Sequence, residues 1–80
     1  MVEERWNAIS EIVCRRLGVN GSDLRLDARF IADLGADSLD LTELVLELEE
    51  RFGILIPESD LSEIQTVADA VRIVEARSKS

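Results

Sequence analysis

The sequence predicts an all-α fold, a small four-helix bundle with three long helices and one short one. Three observations carry this. Apolar residues recur at three- and four-residue steps in three separate stretches, the signature of amphipathic helices. No pair of alternating apolar–polar stretches flanks the Asn20-Gly21 turn signal as a hairpin would require. Helix start and stop signals also fall where the periodic stretches begin and end, at Gly18, Asp37, Gly53, Pro57 and Thr66. Eighty residues suit one domain spanning 1–80, and a chain this small buries only a modest share of its surface.

The first helix is expected over about residues 3–17. Val2, Trp6, Ile9, Val13 and Leu17 share one face, Cys14 lies beside it, and Gly18 suits the left-handed position after a helix end. From Val19 to Asp33 no helical period persists. This segment reads as a long loop pinned by Leu24, Leu26, Phe30 and Ile31, and loops of this length are either packed or functional. A second helix starts near Asp37, with Leu41, Leu44, Val45, Leu48 and Phe52 inward and Gly53 as its stop. Asp37 is its expected N-cap and Asp40 the capping-box partner three residues on. Ile54-Leu55-Ile56 reads as a buried connector, and Pro57 as the first residue of a short third helix through Leu61. Thr66 is expected to cap the last helix with Asp69 at its third position. Val67, Ala70, Val71 and Val74 form its inner face.

Composition narrows function. Seventeen acids against nine bases give a net charge of −8, which disfavours nucleic acid and anionic membranes and favours basic protein surfaces. The single cysteine, Cys14, has no partner for a disulfide or a thiolate metal site. No apolar run approaches the roughly 20 residues needed to span a bilayer. The first residues carry acids and no apolar core, unlike a secretory signal, so the expectation is a cytoplasmic monomer without membrane insertion.

Within the second helix, Asp40, Glu43, Glu47 and Glu50 recur at steps of three, four and three and share a face. Like charges so spaced cost about 0.2–0.5 kcal/mol per pair, and only Arg51 stands four residues from Glu47 to relieve them. The stripe reads either as a solvated face or as a docking surface for basic partners. Leu39 and Leu46, seven apart and off the core stripe, would add an apolar component. At the start of this helix sits Ser38. A nucleophilic serine needs a base, yet the chain has no histidine, and Lys79 lies in the tail. Ser38 is therefore poorly built as a nucleophile. It is placed either to help start a helix or to carry a phosphate ester beside free helix N–H groups. A serine hydrolase is disfavoured, and the acids do not match a calcium loop.

The run Asp33-Leu34-Gly35-Ala36-Asp37-Ser38-Leu39-Asp40, with Glu43-Leu44 and Glu49-Glu50-Arg51-Phe52-Gly53-Ile54 after it, closely resembles the acyl carrier protein family. Leu17-Gly18-Val19, Ile56-Pro57 and Thr66-Val67 extend the resemblance over about residues 3–75. It implies a four-helix bundle and a carrier rather than an enzyme. It also implies that Ser38 receives 4′-phosphopantetheine from coenzyme A and that the arm's thiol holds acyl groups as thioesters. Residues Asp37, Leu39, Asp40, Glu43, Leu46, Glu49 and Glu50 match the family's recognition positions, and Glu47 joins them through the stripe. Implied partners are a phosphopantetheinyl transferase, a ketosynthase and an acyltransferase or acyl-activating enzyme. Candidates for an acyl pocket are Leu48, Ile56, Leu61, Ile64, Val67 and Ala70. Aspartate before the serine favours acyl over peptidyl carriers. Glu47 stands where the family commonly has a small or neutral residue, and Leu61 where it often has a small one. The pathway is fatty acid synthesis or a specialised lipid or polyketide route. An acidic interaction module without the arm is the alternative of another class.

Overall fold

The computed structural model describes residues 2–78 and the side chains of residues 5–78; the Val2 side chain and Lys79 lie outside them. Four helices follow in order: α1 (Val2–Leu17), α2 (Ser38–Phe52), α3 (Glu58–Leu61) and α4 (Val67–Ser78). A single turn of 3-10 helix, Gly21–Asp23, interrupts the long first loop. No strand forms among the described residues; one isolated antiparallel bridge joins Arg29 to Thr66.

Helix α1 packs against α2 and α4, and α2 against α4. Ile9, Val13, Phe30, Leu44, Leu48, Val67 and Val74 are the large side chains at the centre, each almost wholly removed from water. The core departs from the periodic reading: Ile12 and Ile73 are buried as well, because α1 and α4 each face two neighbours and their apolar arcs are wider than one stripe, while Trp6, Leu17, Leu41, Phe52 and Val71 are only partly buried at its edge.

The loop anchors are also redistributed. Leu24 and Phe30 are buried as expected, but Leu26 and Ile31 are more than half exposed, and the small Ala28 and Ala36 take inward positions. Backbone pairing decides this. The Phe30 N–H donates to the Gln65 carbonyl (2.9 Å), the Val67 N–H to the Ala28 carbonyl (3.0 Å) and the Ala68 N–H to the Leu26 carbonyl (2.8 Å). Ala28 and Phe30, two residues apart in this short contact, share the inward side, and Ile31, one residue on, faces out; Leu26 sits in the turn before the contact and stays outside.

The connector after α2 is only partly buried: Ile56 is inside, Ile54 half-buried, and Leu55 82% exposed. Pro57 is the N-cap of α3 rather than its first helical residue. Its backbone is extended (φ −67°, ψ 160°), and its carbonyl accepts from the Asp60 and Leu61 N–H groups. The capping of α4 follows the sequence expectation, with Asp69 N–H donating to Thr66 Oγ1 (3.2 Å) and Thr66 N–H to Asp69 Oδ2 (3.1 Å).

Candidate functional site

The segment leading to Ser38 is a closed hydrogen-bonded turn. The Arg29 carbonyl accepts from the Asp33 and Leu34 N–H groups, and the Arg29 N–H donates to Asp33 Oδ2 (2.8 Å). Gly35 then adopts φ +74°, a left-handed conformation that costs glycine nothing extra. Directly after it, the Ala36 N–H donates to the Phe30 carbonyl (2.8 Å) while the Ala36 side chain packs into the core. With Phe30 and Ala36 both buried, the turn is fixed at two points. The next residue, Asp37, is thereby placed to open α2.

Asp37 and Asp40 form a reciprocal capping box. The Asp40 N–H donates to Asp37 Oδ1 (2.8 Å), and the Asp37 N–H donates to Asp40 Oδ2 (3.1 Å). Ser38 is therefore the first helical residue. Of the first N–H groups of α2, those of Ser38 and Leu39 have no partner among the described residues. The Ser38 side chain is exposed, and its carbonyl accepts from Thr42 Oγ1 (3.0 Å). A phosphate ester on this hydroxyl would meet two free donors at the positive end of the helix dipole. The Asp37 carboxylate, which would repel it, is engaged by the cap. The residues present fit a phosphate-linked group, and the nearest carboxylates, Asp37 and Asp40, are engaged with backbone N–H groups of the cap.

Downstream, the acids of α2 divide by what they touch. Glu47 is held by both Arg15 and Arg16 of α1, the latter through Nε at 2.7 Å, and its side chain is only 19% exposed. Arg16 also approaches Glu43 at 3.5 Å, whose side chain is 48% exposed. The expectation that Arg51 alone relieves the stripe is thus corrected: the counter-charges come from across the helix interface, which spacing along α2 cannot reveal. Arg51 instead lies over the Phe52 ring, 5.4 Å from its centroid. Glu49 faces the other flank and its carboxylate accepts from the Ile56 N–H (2.6 Å), fastening the connector to α2. Glu50 is exposed, and so are Leu39 (63%) and Leu46 (55%).

The acyl-pocket candidates lie in or against the core. Leu48, Ile56, Ile64, Val67 and Ala70 are buried and Leu61 packs at the edge of the core. A half-open, mostly apolar crevice of about 270 Å³ is lined by Arg29, Ile31, Ala32, Leu41, Ile64 and Gln65. Ile64 is the one candidate that reaches it. Leu41 lies three residues beyond Ser38, so the crevice opens about one helical turn from the hydroxyl. The exposed Ile31, read in sequence as a core anchor, is a wall of this crevice instead.

The fold and site together define a helical bundle that displays an exposed serine at the start of its second helix. The family described as phosphopantetheine attachment site matches residues 7–74. An acyl carrier protein from Solidesulfovibrio magneticus is 46% identical over 69 residues, 86% of this chain and 88% of that protein. The crystal structure of an acyl carrier protein from Thermotoga maritima superposes with a TM-score of 0.80 at 26% identity, covering 95% of this chain and 88% of that one. The chain belongs to the acyl carrier protein family of phosphopantetheine-binding proteins. Members of this family are carriers rather than catalysts, and membership implies a phosphopantetheine prosthetic group. No helix among the described residues is long and apolar enough to cross a membrane.

Proposed function

We propose that this chain is a single carrier domain that holds acyl intermediates as thioesters, with 4′-phosphopantetheine transferred from coenzyme A to Ser38. The observation that carries the reading is the exposed Ser38 hydroxyl at the first position of α2, beside two unpaired backbone N–H groups. The prosthetic arm would supply a thiol on a flexible tether. The protein's own residues hold the attachment point still: Phe30 and Ala36 fix the turn, and Asp37 and Asp40 fix the helix start. The Ser38 oxygen attacks the pantetheine-side phosphorus of coenzyme A and becomes the bridging atom of a phosphodiester, the P–O–P bond breaks and adenosine 3′,5′-bisphosphate leaves; the serine proton goes to a base of the modifying enzyme, because the Asp37 and Asp40 carboxylates are engaged in the cap.

The exposed face of α2 formed by Leu39, Glu43, Leu46 and Glu50 is the surface we assign to partner enzymes with basic docking patches. A phosphopantetheinyl transferase comes first among them, then the acyltransferases, acyl-activating enzymes and ketosynthases that load and use the thiol. Charge complementarity supports this, since the protein carries a net charge of −8. The crevice lined by Ile31, Leu41 and Ile64 is where a short acyl chain would leave water. Cytoplasmic fatty acid synthesis or a related lipid or polyketide route is the setting this chemistry fits.

The test is incubation with coenzyme A and a phosphopantetheinyl transferase, read by intact mass. Wild type should gain one arm. Ser38→Ala should keep its helicity and gain none. Modification of Ser38→Ala, or of no form at all, would overturn the reading.

A further inference from the structure

The structure places five acids on α2, yet they are not equivalent to an approaching partner. At 100° per residue, Leu39, Leu46, Glu50 and Glu43 fall within an arc of about 60° centred opposite the core. Glu47 lies at the flank of that arc, over α1. There two guanidinium groups converge on its carboxylate, one on each oxygen: Arg16 Nε on Oε1, and Arg15 on Oε2. The Glu47 side chain is 19% exposed, against 48% for Glu43. Its lone pairs are already taken by planar donors suited to a carboxylate. A lysine or arginine from a partner would have to displace them. Meanwhile Arg15 and Arg16 remain 60% and 41% exposed, so the α1 edge of this surface shows positive charge to a basic visitor.

We propose that Arg15 and Arg16 are specificity-determining residues: they withdraw Glu47 from partner recognition and confine basic partners to the Leu39, Glu43, Leu46 and Glu50 face. This rests on the reading of α2 as the docking surface. A partner that fits is one whose basic patch meets Glu43 and Glu50 around an apolar contact to Leu39 and Leu46, without cations over α1. A partner whose basic residues extend over α1 is rejected by repulsion.

The experiment is a double-mutant cycle on transferase-catalysed modification of the full chain, measured as kcat/KM at about 0.15 M salt, where the Debye length is about 8 Å. The four forms are wild type, Glu47→Gln, Arg15→Gln/Arg16→Gln, and the triple variant. Glu47→Gln removes one unit of charge in either background, so long-range steering contributes alike and the ratio isolates direct contact. In wild type, Glu47→Gln should lower kcat/KM by less than about twofold. In the arginine-free background Glu47 is released, and the same substitution should lower it by about fivefold, which is about 1 kcal/mol and the upper end for an exposed ion pair. Glu43→Gln in wild type should cost about the same fivefold. Equal losses from Glu47→Gln in both backgrounds would overturn the proposal while leaving the attachment reading intact. If wild type accepts no arm, the attachment reading itself fails, and the selection by Arg15 and Arg16 fails with it. Far-UV circular dichroism on each form checks that helicity is kept.

Discussion

Asp69 offers a direct test of how the long first loop is held. Its carboxylate accepts from three donors: the Gln65 and Thr66 N–H groups through Oδ2, both at 3.1 Å, and Arg72 through Oδ1 at 2.6 Å. Burial pushes this carboxyl up, but the Gln65 and Thr66 N–H groups, Arg72 and the Thr66 hydroxyl outweigh it and hold it below the usual carboxylate range. Asp69 also stands at the junction where the Arg29–Thr66 bridge joins the loop to α4. Replacing it with asparagine keeps the volume and one acceptor oxygen. It removes the charge-assisted part of the cap and the ion pair with Arg72. A lost cap costs about 0.5–2 kcal/mol and an exposed pair about 0.2–1. Asp69→Asn should therefore lose about 1–2 kcal/mol at neutral pH. At about 4–8 °C per kcal/mol for a domain of this size, the melting temperature should fall by about 4–16 °C. The sign of the pH dependence follows from the lowered folded pKa. The carboxylate's contribution is fully present above the unfolded value of about 3.9 and is lost as pH falls from there through the folded pKa. Thermal melts from pH 7 down to about pH 2 should thus show wild type and variant converging in acid. A variant as stable as wild type at pH 7, or a gap that survives at the acid end, would refute the argument.

Two further outcomes are expected. Gly53 ends α2 at φ +66°, so Gly53→Ala forces a left-handed alanine and should cost about 1 kcal/mol in urea unfolding, although nothing lies within 4 Å of the added Cβ; an unchanged midpoint would mean the turn can relax. In acyl-loaded forms, each sheltered methylene should add about 0.8 kcal/mol until the crevice of about 270 Å³ is filled; a gain that climbs steadily into long chains would count against it.

Much of the protein was decided locally. The start of α2 was legible because a capping box is a three-residue relation: Asp37 and Asp40 must find each other whenever that turn is helical. Gly18 and Gly53 were legible as stops because both occupy positive φ, which few other residues tolerate. Periodicity fixed the inward faces of Leu44, Leu48, Val67 and Val74. The place of Ser38, and the lack of any histidine to activate it, were likewise readable from the chain alone.

What the tertiary structure decided was every relation between residues far apart in the chain. Glu47 and Arg16 are 31 residues apart, and no period along α2 announces that α1 will bring two guanidinium groups to that carboxylate. Glu49 looked like a surface acid until the connector folded back and offered it the Ile56 N–H. Ile31 and Leu26 looked like core anchors until backbone pairing with the start of α4 set which loop residues turn inward. Hydrophobicity and spacing act through the nearest turn of helix and so can be read in order. Counter-charges, crevices and the inward side of an irregular loop depend on which surfaces meet, and that is settled only when α1, α2 and α4 close on one core.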